Sequence, residues 1–430
     1  MAGTFTLRFS TGLTGAMLAF YLASLADAGH PVDAIVVGIF SATFYLAELV
    51  LSPFFGILSD RIGHHRVMLY GPIFGGVAVI LTGLTTNLVI LGGARWLEGA
   101  STAASVPSIL GYIAMVTSND EALRGKAAAR FEGATLAGLG VGFAAAPLMF
   151  EALGPNAFFL NAVIYGVSYL IYWRGVKDPA GERETLDAPH FGWRRYAQLV
   201  TTSHVWLLAP TWIAVNASIG LWFSQSIFQF ARADPRFPDQ TLMRGFTAVE
   251  ITLAAVVIGL LFGAGLWYWG NRFKNLRRTT IILYGILGGA VLVAAGLVIN
   301  HGLDLPFALT AGAALVAAFG LFVLAGATPA ALGLLADISE RFPADRGAIM
   351  GLYSVFLGLG QILGALLGGV VATWAGVDGL LLGTMALLLL ALVPLAQLRR
   401  HEHYVGGTTS PAYLDGDDDG SPPRPDESHG

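Results

Sequence analysis

Hydrophobic residues run along this chain in long blocks, with little of the short alternation that marks a half-buried strand. Twelve apolar stretches lie near 5–27, 34–58, 67–86, 88–116, 126–150, 157–176, 203–230, 246–269, 279–299, 306–335, 347–373 and 378–397. A hydrocarbon core of ~30 Å is crossed by about 20 helical residues, so each stretch predicts one membrane-spanning helix. The stretches 88–116 and 306–335 are long for one crossing, and each holds a proline, Pro107 and Pro329. Tilt, a kink or helix continuing past the lipid is expected there. The first stretch has a second reading. Arg8, an apolar run and Ala26-Asp27-Ala28 imitate a signal peptide with its cleavage site. The run exceeds the usual signal core, and its removal would leave eleven spans, so it is read as span 1.

Polar positions between the blocks set order and orientation. With both termini on the cytoplasmic side of a cell (inner) membrane, 20 Lys and Arg residues fall inside. Only Arg232, Arg236 and Arg244 fall outside, and Arg95 alone lies within a span. The positive-inside rule makes that asymmetry decisive for a multi-pass protein with cytoplasmic termini. The longest inner interruption, 177–202, pairs a polar segment, Asp178–Pro189, with Phe191-Gly192-Trp193-Arg194-Arg195-Tyr196, which suits an interfacial helix. It divides the chain into six-span halves, 1–176 and 203–397, followed by an acidic, Gly/Pro/Ser-rich tail, 398–430, expected to be disordered. An internal repeat supports the halves. Arg124-Gly125 recurs as Arg346-Gly347, 222 positions later, and at the same offset Gly138 meets Gly360, Gly142 meets Gly364 and Ala146 meets Gly368. The predicted fold class is an all-α membrane protein, with twelve transmembrane helices in two pseudo-symmetric six-helix bundles.

Composition removes other classes. The chain is 55% hydrophobic and only 12% charged, with a mean hydropathy of +0.66. Soluble domains carry about 25% charge, so a disordered chain, a nucleic-acid binder and most soluble enzymes are excluded. The net charge of −4 resides in the tail, and the rest of the chain balances. Charge therefore names no partner beyond the lipid bilayer. Without cysteine there are no disulfides, thiolate metal sites or Cys nucleophile. No G-x-x-x-x-G-K-[ST], H-E-x-x-H or G-x-S-x-G occurs, so neither ATP use nor enzyme activity is expected. No cofactor and no metal is expected, His401-Glu402-His403 lying in the tail.

The most specific motif is Gly56-Ile57-Leu58-Ser59-Asp60-Arg61-Ile62-Gly63-His64-His65-Arg66, between spans 2 and 3. It resembles motif A of the major facilitator superfamily (MFS), G-x-x-x-D-R-x-G-R-R, with His64 and His65 replacing the basic pair. Physically, Gly56 allows close helix packing. The Asp60 carboxylate suits a helix N-terminus, which by resemblance is that of span 11. Gly63 permits a tight turn, and Arg61 and Arg66 pair with carboxylates or headgroups. Together these five residues form an expected conformational latch. The histidines raise a pH-sensitive version of it. The equivalent loop of the second half, Gly270-Asn271-Arg272-Phe273-Lys274, lacks the Asp and the second Gly, so there the latch looks degenerate.

Span 4 carries Arg95-Trp96-Leu97-Glu98-Gly99, which resembles motif B, R-x-x-x-G. Ionisable residues in hydrocarbon are costly and mark pathways or partners. Arg95 and Glu98 are three apart and share a helix face. They are open to a self-neutralising structural reading or to one of proton coupling or substrate-charge recognition. Glu48 in span 2 falls at a depth like that of Glu98, and completes the proton-coupling candidates. Span 5 reads Gly133, Gly142, Ala146-Pro147, similar to motif C of the antiporter branch, but departs at Ala146 and at Phe150-Glu151. Gly138, Gly142, Pro147, Gly360, Gly364 and Gly368 read as helix-packing positions. By resemblance spans 1, 4, 7 and 10 line a central cavity, which makes Met17, Tyr21, Asn216, Trp222 and Gln225 substrate-cavity candidates; interhelical packing is the alternative for each.

The resemblance covers roughly 1–400. It implies a secondary transporter working by alternating access on a small-molecule substrate, and a monomer is expected. Proton-coupled export of small amphipathic compounds, as in the drug/proton antiporter branch, is the leading expectation. A facilitator or proton symporter importing a metabolite or organic anion through Arg95 is the second. A transport-dead sensor or scaffold is the third.

Overall fold

The computed structural model describes residues 1–117, 121–176, 200–272, 276–340 and 346–401. The expected linker and most of the acidic tail lie outside the described residues. The first half consists of α1 (Ala2–Asp27), α2 (Ala34–Ile62), α3 (His64–Leu84), α4 (Leu88–Val116), α5 (Glu121–Leu153) and α6 (Asn156–Gly175). The second consists of α7 (Ala209–Ala231), α8 (Ala248–Gly270), α9 (Arg278–Asn300), α10 (Phe307–Leu324), α11 (Ala327–Glu340) and α12 (Arg346–Arg400). Nine stretches among the described residues are long and apolar enough to cross a membrane. Two of these do not correspond to one element and one span. Phe307–Ser339 joins α10 and α11 into span 10, and Gly351–Arg400 holds spans 11 and 12. Helices α6 and α7 have span length with a more polar face, which brings the crossings to the expected twelve.

Element ends follow from local chemistry. Asn87 caps α4 by accepting from Val89 N and Ile90 N, and Thr247 and Glu250 form a reciprocal capping box at the start of α8. Pro107 leaves α4 unbroken over Leu88–Val116, whereas the other long stretch breaks at Ala325–Gly326, ahead of Pro329. Gly326 sits there against the Trp269 ring, closer than a side chain would allow. The α12 backbone departs from helix at Ala375 and Gly376, where Gly376 adopts φ 58°. Gln240 holds that break from outside the helix, donating to Ala375 O at 2.9 Å and accepting from Val377 N at 2.8 Å. The motif A segment also differs from the expected loop. It is helical through Ile62, and Gly63 alone, at φ 102°, turns the chain into α3. A one-residue turn suffices because positive φ is accessible to glycine.

The two halves repeat the same packing. Helix α5 crosses α1, and the first limb of α12 crosses α7. A Cβ added at Gly142 would lie on Phe9 O and 2.9 Å from Leu13 N; one at Gly364 would lie on Ala217 O and 2.8 Å from Leu221 N. Reciprocally, Gly12 packs on the backbone of Leu139 and Gly220 on that of Gln361. Gly75 takes the Tyr165 ring, and Gly289 takes Leu388. The bundles share one architecture because small residues stand at the same crossings, which lets backbones approach without side chains between them.

The bundles meet mainly through α2 with α12, α5 with α8 and α1 with α7. At the end away from the chain termini this contact is close. Arg232 donates to Asp27 at 2.8 Å, Gln225 to Ala34 O at 2.9 Å and Thr252 to Ala144 O at 3.0 Å. There Gly38 lies on Ala365, and Gly369 lies on Ala34 and Ile35. Toward the termini end some glycines of α5 and α12 have no such close neighbour. Gly133 of α5 and Gly351 of α12 have open space where a Cβ would point, and Gly358 would meet only Leu49, at 3.8 Å.

Candidate transport site

Helix α4 places the charged pair. Three residues make just under one helical turn, so Arg95 and Glu98 project from one face and form a salt bridge. Both are buried, at 9% and 2% exposure. The Arg95 guanidinium also lies 4.5 Å from the centroid of the Phe44 ring on α2. Gly99, next to Glu98, packs on Phe44 O and would bring a Cβ within 3.2 Å of Glu48 N, so Glu48 and Glu98 do share a depth.

Around Glu98 the first bundle is polar. Asn161 of α6 donates to Thr14 Oγ1 at 2.7 Å and to Ser10 O at 3.1 Å. Thr14 in turn donates to Ser10 O, and its hydroxyl neighbours the Glu98 carboxylate. Ser10, Thr14, Asn161 and Tyr165 are essentially inaccessible. Glu98 Oε1, Arg95 Nε and Asn161 Oδ1 have no hydrogen-bond partner among the described residues. A buried pair with spare lone pairs and protons is expensive to keep ionised. It can lower that cost by taking up a proton on the carboxylate and turning the guanidinium toward the Phe44 ring.

A second charged group lies among α1, α2 and α5. Glu48 is half-buried and lies within electrostatic reach of Arg8 on α1. Arg8 packs its stem against Gly138 of α5, and its charge also reaches Glu132. Glu132 is exposed and lies within electrostatic reach of Tyr353 of α12, which stacks on Trp212 of α7 at 5.4 Å. Arg8, Glu132 and Tyr353 were not singled out from the sequence. Glu132 carried a usable signal, being a carboxylate in the apolar run of span 5. Arg8 looked like an ordinary inner-end cation.

The other sequence candidates separate in space. Met17 is fully buried inside the first bundle, and Tyr21 is buried with its hydroxyl donating to Thr85 O at 2.9 Å. Asn216 donates to Trp212 O and packs on Gly360, Trp222 donates to Thr384 Oγ1 at 2.9 Å, and Gln225 crosses to α2. Gly138, Gly142, Gly360, Gly364 and Gly368 all lie at helix crossings, and Pro147 lies inside α5. In the motif A segment Gly56 makes an ordinary contact with Pro107, Gly63 forms the turn, and Arg61 and Arg66 are exposed. The Asp60 side chain is 65% exposed and pairs with His64 at 3.8 Å. His64 lies 3.1 Å from Ser59 Oγ, and His65 lies 3.2 Å from Tyr172 O, so both histidines turn toward the first bundle. The start of α12, the expected partner of Asp60, has side chains outside the described residues.

Comparison with known proteins follows the same lines. The model of the Major Facilitator Superfamily matches residues 1–323. Multidrug resistance protein 2 of Bacillus subtilis is 25% identical over 343 residues, covering 77% of this chain and 79% of its own. Quinolone resistance protein NorA of Staphylococcus aureus is 23% identical over 380 residues, covering 85% and 87%. The crystal structure of nucleoside transporter NupG superimposes with a TM-score of 0.66 over 93% of this chain and 99% of that one, at 12% identity, a likeness of fold alone. Twelve crossings, duplicated bundles and the family match agree: this chain belongs to the major facilitator superfamily and is a multi-pass membrane transporter, not an enzyme.

Proposed function

We propose that this protein is a proton-coupled exporter of small amphipathic compounds. The observation that carries the reading is the buried Arg95–Glu98 pair, held within hydrocarbon depth by α4 beside Phe44 and a set of unsatisfied polar atoms. Such a pair has two electrically distinct states. With Glu98 ionised, the guanidinium is neutralised locally. With Glu98 protonated, Arg95 carries an uncompensated charge, and the bundle containing it favours a different packing. Proton exchange at Glu98 thereby biases a two-state element, which is the requirement for coupling.

Resistance proteins named for multidrug and quinolone resistance among the relatives support drug-like amphipathic cargo. The cargo would meet the Arg8–Glu48–Glu132 group and Tyr353 between the bundles. The 20-to-3 distribution of basic residues supports cytoplasmic termini. With that orientation the closely packed far end lies on the outer side of the membrane.

Purified protein in vesicles with an imposed pH gradient tests the assignment, using a fluorescent lipophilic amine as cargo. Gradient-driven accumulation should be lost in Glu98→Gln and weakened in Glu48→Gln, while downhill exchange survives. Intact gradient-driven transport in both variants would remove these residues from coupling. Loss of cargo binding in Arg95→Ala at constant pH, without proton flux, would instead favour an organic-anion carrier.

A further inference from the structure

The second-half counterpart of motif A is the part of the sequence pattern that the transport reading leaves unused. Helix α8 ends at Gly270, and Arg272 N donates back to Trp269 O at 3.0 Å. That turn folds Arg272 over Tyr268. Its guanidinium lies 4.8 Å from the ring centroid, and Nη2 donates to Tyr268 Oη at 3.1 Å. A guanidinium has five N–H donors, and Tyr268 is the side chain that engages Arg272 among the described residues. The neighbouring Arg278, by contrast, is committed to Asp337 through a two-point contact of 2.6 and 2.7 Å.

Tyr268, Trp269, Arg272 and Leu276 line a groove of about 310 Å³. Trp269 spends its own N–H on Phe322 O at 3.1 Å and so presents a ring to the groove. Tyr268 packs on Phe322 at 5.3 Å. One turn and two turns further along α10 from Phe322 lie Phe319 and Leu315, 65% and 74% exposed, and Trp267 beside the groove is 74% exposed. These apolar residues form a strip leading from the groove into the membrane.

We propose that this groove is a site for the phosphate group of an anionic phospholipid in the leaflet at the termini end. Arg272 would bind the phosphate and the Phe319–Leu315 strip would take an acyl chain. The fork of a guanidinium matches phosphate oxygens, and aromatic walls suit the interface between headgroup and hydrocarbon. The continuous strip selects a lipid over free phosphate, which has nothing to place there. Loss of the motif A aspartate in this half removes the carboxylate that would otherwise neutralise the position.

Native mass spectrometry of the full chain in detergent tests this, with phosphatidylglycerol, phosphatidylcholine of matched chains, or inorganic phosphate added. Phosphatidylglycerol should be retained in preference to phosphatidylcholine. Arg272→Ala should lower its retention about fivefold, the usual weight of one cation near an anionic surface. Arg174→Ala, which removes another arginine that sits on an aromatic ring, Trp173, should leave it unchanged. Equal retention by Arg272→Ala and the parent, equal loss in Arg174→Ala, no preference between the lipids, or competition by inorganic phosphate at equal concentration would each overturn the site. Should Arg272→Ala not be recovered folded, Tyr268→Leu, which removes the ring and hydroxyl that hold Arg272, is read in its place with the same expected loss. The outcome is independent of whether transport is proton-coupled.

Discussion

The two bundles share a frame and differ in what fills it. The hydrogen bond from Asn161 to Thr14 between α6 and α1 has its counterpart in Trp222 to Thr384 between α7 and α12. Where Tyr165 fills Gly75 in the first bundle, Leu388 fills Gly289 in the second. The core around Trp212 is aliphatic, with Ile281, Ile286, Leu334, Leu335, Leu388 and Leu395. Both bundles also bury neutral polar side chains, such as Asn161 in the first and Asn216, Gln225 and Gln361 in the second, but the buried charged pair of Arg95 and Glu98 belongs to the first. At the termini end the contrast reverses. His64 packs on Gly111 with the exposed Asp60 as its partner, while at the matching place Arg278 packs on Gly333 and forks onto Asp337. Duplication supplies a scaffold that tolerates different contents, and burial and charge coincide in the first half.

The comparison is broken most readily at Glu98. Glu98→Ala leaves Arg95 buried without its partner and should cost about 3–5 kcal/mol, read as a large drop in unfolding temperature in detergent. The double change Arg95→Leu with Glu98→Leu should recover most of that stability while abolishing gradient-driven transport. If the double variant is as unstable as the single, the pair is a structural element of the first bundle. The second bundle has its own ion pair to test. Asp337→Ala should cost about 1.5–3 kcal/mol, the weight of charge-assisted hydrogen bonds, without altering the pH dependence of transport.

The shared frame is tested at matched glycines. Gly142→Ala and Gly364→Ala each push a methyl into a facing carbonyl and should lose similar stability, about 1–3 kcal/mol. A loss confined to one would show that the crossings are not equivalent. The smallest effect concerns the loop at the far end. Arg236 donates to the Asp234 carboxylate and holds its pKa below the ordinary value. The folded state thus gains stability above the unfolded carboxylate pKa of about 3.9. It loses that gain as pH falls through the depressed folded value. Asp234→Asn should flatten the acid limb of an unfolding-temperature profile by a small amount, because Arg236 is itself largely exposed.

Particular residues show which signals were readable. Arg95 and Glu98 stood out because charge inside an apolar run is rare and three-residue spacing implies one face. Gly142 and Gly364 stood out because an offset of 222 paired them with their neighbours. Asn216, Trp222 and Gln229 shared a plausible stripe on α7 with Gln225 close by, yet Asn216 bonds back to its own helix, Trp222 reaches α12 and Gln225 reaches α2, since periodicity gives a face and not the identity of what covers it. Glu132 was readable as an intramembrane carboxylate, but its proximity to Arg8 and Tyr353 required three helices to be placed.

The order of spans, the duplication and the buried charged pair were determined by sequence alone, because hydrocarbon thickness, helical spacing and the cost of charge in lipid act locally along the chain. Tertiary structure decided which end of the bundles is closed, which polar atoms surround Glu98, and how a glycine at position 63 compresses a motif into a single-residue turn. Those outcomes depend on approach distances between helices far apart in sequence, set by where small side chains let backbones touch.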